Sequence, residues 1–318
     1  MVSAPPLRVV FFGTPEFAVP TLDALVGSRH QVVGVVTQPD RPRGRGHRTS
    51  YAPVKSRALD AALPVLQPER LKDDAFLAGL AAMRADLGVV AAYGKILTDA
   101  VLAAPRLGMI NVHASLLPRY RGAAPVHRAI MNGERETGVT IMRVVKALDA
   151  GPMLAETRRA IGPDETSEEV ERDLAREGAA LLAAAVDDIA AGRARETPQD
   201  DAAATYAPRL TKADGAIDWS WPAGRIHNAV RGLHPWPHAS AFLRGRRLIL
   251  LRSAASADVG GAAPGTVIAA KADDLVVAAG SGRVRLLEIQ AEGKRPMTAR
   301  EFLAGHRVEP GDRLTAAP

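Results

Sequence analysis

The sequence predicts an α/β protein in two parts: a parallel-rich sheet with helices on its faces, then a small antiparallel β-barrel. Three observations carry this. Residues 7–37 read as strand, turn, helix and strand, the order of a parallel crossover unit. After residue 209, short strand-like runs recur with no crossover helix between them. The charge also changes along the chain of 318 residues, which exceeds one typical domain. Residues 1–208 hold 25 basic and 25 acidic residues, whereas 209–318 hold 16 and 10, the whole net charge of +6.

Each element has its own signal. Residues 7–12 (LRVVFF) and 31–37 (QVVGVVT) are continuous apolar runs, as expected of strands buried on both faces. Residues 16–25 between them predict a helix with Phe17, Leu22 and Leu25 on one side. Residues 38–53 are broken by Pro39, Pro42, Gly44, Gly46 and Pro53 and read as an irregular, basic loop. Residues 87–93 and 139–145 are further buried strands. Residues 109–113 (MINVH) alternate, so Asn111 and His113 share one face of a strand. Residues 166–192 are the clearest helix, with Thr166 and Glu169 as a capping box and Gly192 as the stop. The polar stretch 193–208 reads as a linker, which sets domains of 1–192 and 209–318. In the second, strands are expected at 239–243, 246–251, 265–270, 274–279 and 283–289, and helices at 226–231 and 298–303. Residues 253–261 read as a flexible loop.

Composition removes several function classes. With no cysteine, disulfide scaffolds, thiolate metal sites and cysteine nucleophiles are excluded. No apolar run approaches the roughly 20 residues of a membrane span, and residues 1–6 do not form a signal peptide. A cytoplasmic protein is expected. Gly13-Thr14-Pro15 lacks the G-x-G-x-x-G spacing, and no P-loop, H-E-x-x-H or G-x-S-x-G occurs. Nucleotide and metal cofactors are therefore unsupported by motif. A basic appendage on a neutral domain suggests a polyanionic partner.

The chemistry gathers at residues 111–118 (NVHASLLP). Asn111 and His113 leave one strand face near its C-terminal end, where open α/β sheets bind ligands. An amide donor and an imidazole on one face can hold an oxyanion. Asp149, at another strand end, can orient or charge the imidazole.

The run MINVHASLLPRYRGAAPVHRAI at 109–130 resembles the signature of the folate-dependent formyltransferases, with TGVTIM at 137–142 and LDAGPM at 148–153 following in order. FFGTPEFAVP at 11–20, TQPDRPRGRG at 37–46, LTKADGAIDWSWPA at 210–223, VRGLHPWPHASAF at 230–242 and GKRPMTAREFLAG at 293–305 narrow the resemblance to the methionyl-tRNA formyltransferase family. Tyr120 departs from the Trp common there, and Leu233-His234 before Pro235 is a second departure. The resemblance implies a Rossmann-like formyltransferase domain followed by an OB-like barrel. The implied reaction moves the formyl group of 10-formyltetrahydrofolate, without a metal, to the amine of methionyl initiator tRNA.

Carried over residue by residue, the resemblance makes Asn111, His113 and Asp149 catalytic. It makes Ser115, Leu116, Leu117 and Pro118 the folate site. Contacts to tRNA are expected from Arg43, Arg45 and Arg48 in the basic loop and from Lys212, Arg246 and Lys294 in the last third. Trp219, Trp221 and Trp236 either stack on bases or pack the barrel or the domain seam. A monomer is expected. An amino-sugar acceptor and a catalytically silent RNA-binding protein are the rival readings.

Overall fold

The computed structural model describes residues 5–40, 51–258 and 261–318. The chain divides into two compact units: Met1–Ala123, Thr137–Arg159 and Glu171–Ala207 form the first, and Ala124–Glu136, Ala160–Val170 and Pro208–Pro318 the second. The second thus includes two short segments that precede residue 208. No shift in composition marks them.

In chain order the elements up to residue 207 are β1 (Arg8–Gly13), α1 (Val19–Val26), β2 (Gln31–Val36), α2 (Pro53–Asp60), β3 (Val65–Leu66), α3 (Asp74–Ala82), β4 (Leu87–Ala91), α4 (Asp99–Ala103), β5 (Met109–His113), β6 (Arg121–Gly122), α5 (Pro125–Met131), β7 (Glu136–Arg143), β8 (Met153–Ala160), α6 (Ser167–Ala190) and β9 (Tyr206–Ala207). The main sheet has the order β3-β2-β1-β4-β5-β7-β8. β1 to β5 pair in parallel, and β7 runs antiparallel to β5. This is the parallel-rich Rossmann-like sheet that the sequence predicts. β1 lies inside it, between β2 and β4, with Val9, Val10, Phe11 and Phe12 all fully buried. That position explains the unbroken apolar run.

Register puts the carboxyl ends of three strands side by side. Gly13 pairs with Ala91, and Ala91 pairs with Val112. His113, Tyr93 and Thr14 therefore leave the sheet at one edge. The expected helix at residue 16 starts as a 3-10 turn, Glu16–Ala18, and becomes α-helical at Val19. The capping box at the start of α6 forms: the Thr166 N–H donates to Glu169 Oε2 at 2.7 Å, and the Glu169 N–H donates to Thr166 Oγ1 at 3.4 Å.

The second unit adds α7 (Ala223–Gly232), β10 (Ala239–Leu243), β11 (Arg246–Ser256), β12 (Val267–Lys271), β13 (Asp274–Ala278), β14 (Arg283–Ala291), β15 (Met297–Thr298), α8 (Ala299–Gly305) and β16 (Leu314–Thr315). Its antiparallel sheet runs β12-β13-β14-β11-β10-β16. It closes on itself through the Thr266–Arg313 bridge. There the Leu314 N–H donates to Gly265 O and the Val267 N–H to Asp312 O, both at 2.8 Å. Ile226 from α7 and Phe302 from α8 pack on Leu250, Val277, Leu286 and Ile289 of the strands. The predicted barrel is present. One expectation fails: residues 253–256 are not loop but the end of β11, paired with β14 from Leu286 to Arg283. Small residues (SAAS) hide this strand in the sequence. Tertiary pairing with a long neighbour supplies what propensity does not.

Candidate active site

β5 delivers the first two candidates. His113 is buried and Asn111 half-buried. His113 Nε2 lies 3.0 Å from the Tyr120 carbonyl oxygen. A carbonyl only accepts, so Nε2 carries a hydrogen and donates it. Nδ1 faces Asp149, with 3.7 Å to Oδ2. That same carboxylate oxygen accepts the Gly122 N–H at 2.9 Å. Both ring nitrogens of His113 therefore look at acceptors. Among the described residues none is hydrogen-bonded to the Asn111 side chain, which leaves its amide available for a ligand.

The Asp149 loop is tightly built. Asp149 has φ +47°, a left-handed conformation that Asp tolerates better than most residues. At Gly151 an added Cβ would lie 1.9 Å from the Arg143 carbonyl oxygen, so only glycine lets the loop pass there. Gly122 has φ +123°, and a Cβ there would meet Ala207 O at 2.7 Å.

Further residues hold this arrangement, and two of them, Gln199 and Thr205, carried no sequence signal. Thr205 Oγ1 accepts the Tyr120 N–H at 2.9 Å, and the Arg121 N–H donates to Thr205 O at 2.8 Å. Thr140, opposite His113 in register, accepts the Leu117 N–H at 3.2 Å and donates its hydroxyl to Ser115 O at 2.7 Å. Gln199 donates to Asp149 O and Gly151 O at 2.8 and 2.7 Å. Gln199 and Thr205 lie in a polar stretch without periodicity, where nothing distinguishes a strap from a spacer.

The expected folate residues follow His113 directly. Ser115 and Leu117 are buried, and Leu116 and Pro118 half-buried. The Ser115 hydroxyl donates to Arg119 O at 2.7 Å, so it shapes the loop. At the neighbouring strand end, Tyr93 O accepts from Gln38 Nε2 at 2.8 Å and Thr14 Oγ1 at 3.2 Å. The Tyr93 ring meets Phe12 edge-on, 5.5 Å between centroids. Burial pushes its hydroxyl pKa up to about 12.

Comparison with known proteins bears on this geometry. A family described as "Formyl transferase" matches residues 7–186, and "Formyl transferase, C-terminal domain" matches 209–307. A protein named methionyl-tRNA formyltransferase from Moorella thermoacetica is 46% identical over 308 residues, covering 97% of this chain and 99% of its own length. One of the same name from Roseiflexus sp. is 48% identical over 311 residues, covering 97% of this chain and 95% of its own. The chain belongs to the methionyl-tRNA formyltransferase family. Among solved structures, the sugar 3N-formyl transferase WlaRD, determined in the presence of dTDP and 5-N-formyl-THF, superposes with a TM-score of 0.68 at 15% identity. It covers 91% of this chain and 99% of that one, a likeness of fold.

This formyltransferase is therefore an enzyme of formyl transfer. Its basic candidates divide in two. Arg43, Arg45 and Arg48 lie outside the described residues. Lys212, Arg246 and Lys294 are exposed, and no carboxylate among the described residues pairs with them. By contrast Arg244 is bound to Asp312 at 2.8 Å and Arg295 to Glu301 at 2.8 Å. Arg246 starts β11, and Glu292 donates its N–H to Arg247 O at 3.3 Å. Arg246 and Lys294 thus share one end of the barrel sheet. Trp219 is buried in the barrel core, Trp221 packs against that core, and Trp236 is half-exposed. A cleft of about 460 Å³ in the second unit, lined by Asp164, His227, Arg231 and Arg252, contains none of the site residues. Its polar groups are matched internally: His227 to Ser253 and Pro163 O, Arg252 to Glu169. Among the described residues no group of three or more His, Asp or Glu could hold a metal, and no helix is long and apolar enough to cross a membrane.

Proposed function

We propose that the chain transfers the formyl group of 10-formyltetrahydrofolate to the free amine of methionyl initiator tRNA, giving formylmethionyl-tRNA for translation initiation. The observation that carries this reading is the match of both parts of the chain, end to end, to relatives of that name. The unpaired basic side chains of the second unit are what a polyanionic acceptor requires.

The neutral amine attacks the formyl carbon, a C–N bond forms, and the carbonyl oxygen becomes an oxyanion. The bond from that carbon to the folate N10 then breaks. The proton leaving the amine ends on N10, giving tetrahydrofolate. The Asn111 amide and the His113 imidazole hold the oxyanion as it forms. With Nε2 engaged by Tyr120 O, Nδ1 is the working nitrogen, and the Asp149 carboxylate balances charge there. Residues Ser115, Leu116, Leu117 and Pro118 line the folate site, with Leu116 and Pro118 offering apolar wall. Residues 1–192 carry the chemistry, and residues 209–318 hold the tRNA, with Lys212, Arg246 and Lys294 on its phosphates. Residues 193–208 connect them. Arg43, Arg45 and Arg48 reach the acceptor end. The enzyme works as a cytoplasmic monomer.

The test is a transfer assay with three acceptors side by side: methionyl initiator tRNA, glycinamide ribonucleotide and an amino-sugar nucleotide. Formyl-methionine on the tRNA alone is expected. Transfer to another acceptor, or to none by folded protein, overturns the reading.

A further inference from the structure

The Gln199 side chain uses all of its amide. Nε2 donates to the carbonyl oxygens of Asp149 and Gly151 at 2.8 and 2.7 Å. Oε1 accepts from Nε and Nη2 of Arg121 at 3.0 and 2.8 Å. Two donors and two acceptor positions are all that a primary amide has. Arg121 is itself buried, only 4% exposed, and also reaches Asp201 at 2.7 Å. The residue after Arg121 is Gly122, whose N–H holds the Asp149 carboxylate. Gln199 therefore grips the Asp149 loop twice, directly through the Asp149 carbonyl and indirectly through the strand that carries Gly122.

We propose that Gln199 is a positioning residue that fixes the Asp149 carboxylate against His113 Nδ1. The proposal rests on the catalytic reading of Asp149 given above. The requirement is chemical. One end of the side chain must donate twice to carbonyls and the other must accept twice from a guanidinium. Glutamate keeps the second end and turns the first into lone pairs facing two carbonyl oxygens. Asp149 adopts a left-handed φ, a conformation that persists where surrounding contacts over-determine it. Loss of the grip lets the loop relax, and a misplacement of about 1 Å costs on the order of 10²-fold in rate.

The experiment is a double-mutant cycle of Gln199→Glu with Asp149→Asn, read as single-turnover formyl transfer to methionyl initiator tRNA. Gln199→Glu is expected to lower kcat by about 10- to 100-fold while KM for either substrate moves less than about threefold. In the Asp149→Asn background the same change is expected to cost less than about threefold, because its target is gone. A residue that merely secures Arg121 would leave Gln199→Glu active, since Oε1 and Oε2 still accept. Gln199→Ala, which adds no charge, carries the same cycle if the glutamate variant does not fold. Near-normal kcat in a folded Gln199 variant, or losses that multiply in the double mutant, overturns the proposal. Normal turnover in Asp149→Asn alone overturns the role of Asp149 instead.

Discussion

Replacing Asp149 by Asn is the sharpest perturbation of the site. The change is isosteric and keeps an oxygen to accept the Gly122 N–H, which now lies 2.9 Å from Oδ2. What it removes is a charge 3.7 Å from His113 Nδ1. In the proposed mechanism, a proton on that nitrogen faces the carboxylate as the oxyanion forms. Two unit charges at this separation attract by about 4 kcal/mol at an effective dielectric of about 20. The Asp149 side chain is 18% exposed. Water there, and the Asn dipole that remains, reduce the loss to about 2–3 kcal/mol. This corresponds to roughly a 30- to 150-fold fall in kcat. Single-turnover formylation at saturating donor measures it, with thermal unfolding as the control for folding. A folded Asp149→Asn enzyme within threefold of the native kcat would refute the assignment.

Other perturbations test separate parts of the structure. Asn111→Ala should lower kcat by about 10²–10³-fold, the usual loss of one oxyanion donor. Its melting temperature should barely move, because no described residue bonds that side chain; native turnover would exclude Asn111 from the site. Changing Arg246 and Lys294 together to Ala should reduce the slope of log K against log salt for tRNA binding by about 2. An unchanged slope removes both from the interface. Gly151→Ala places a Cβ where the Arg143 carbonyl oxygen is 1.9 Å away and should cost about 2–4 kcal/mol of stability, read by denaturant unfolding. Glu169 gives a pH signature. The Arg252 hydrogen bond, helped by the Thr166 groups, lowers its pKa from 4.5 to about 2. The pair is 39% and 32% exposed, so screening leaves about 1–2 kcal/mol. A lowered folded-state pKa means that this stability is complete above about pH 4.5 and is lost as pH falls toward 2. The melting gap between native protein and Glu169→Gln should be constant at neutral pH and close over that window.

Several features were readable from the amino-acid sequence because they rest on local rules. The buried strands β1, β2 and β4 announce themselves as apolar runs. β5 shows its two faces by alternation, which pairs Asn111 with His113. The Thr166–Glu169 box marks the start of α6 to within a residue, and the motifs around 111–118 and 148–153 name the chemistry. Only the tertiary structure decided what depends on distant partners. It shows that Tyr120 O takes one nitrogen of His113 and Asp149 faces the other. It shows that SAAS at the end of β11 is strand, because β14 is there to pair with it. It also draws residues 124–136 and 160–170 into the second unit, and turns Gln199 and Thr205 of an unpatterned polar stretch into the fastening of the candidate-site loops. Periodicity records which face of an element meets the core; a single hydrogen bond across 50 or 85 residues of sequence leaves no period to read.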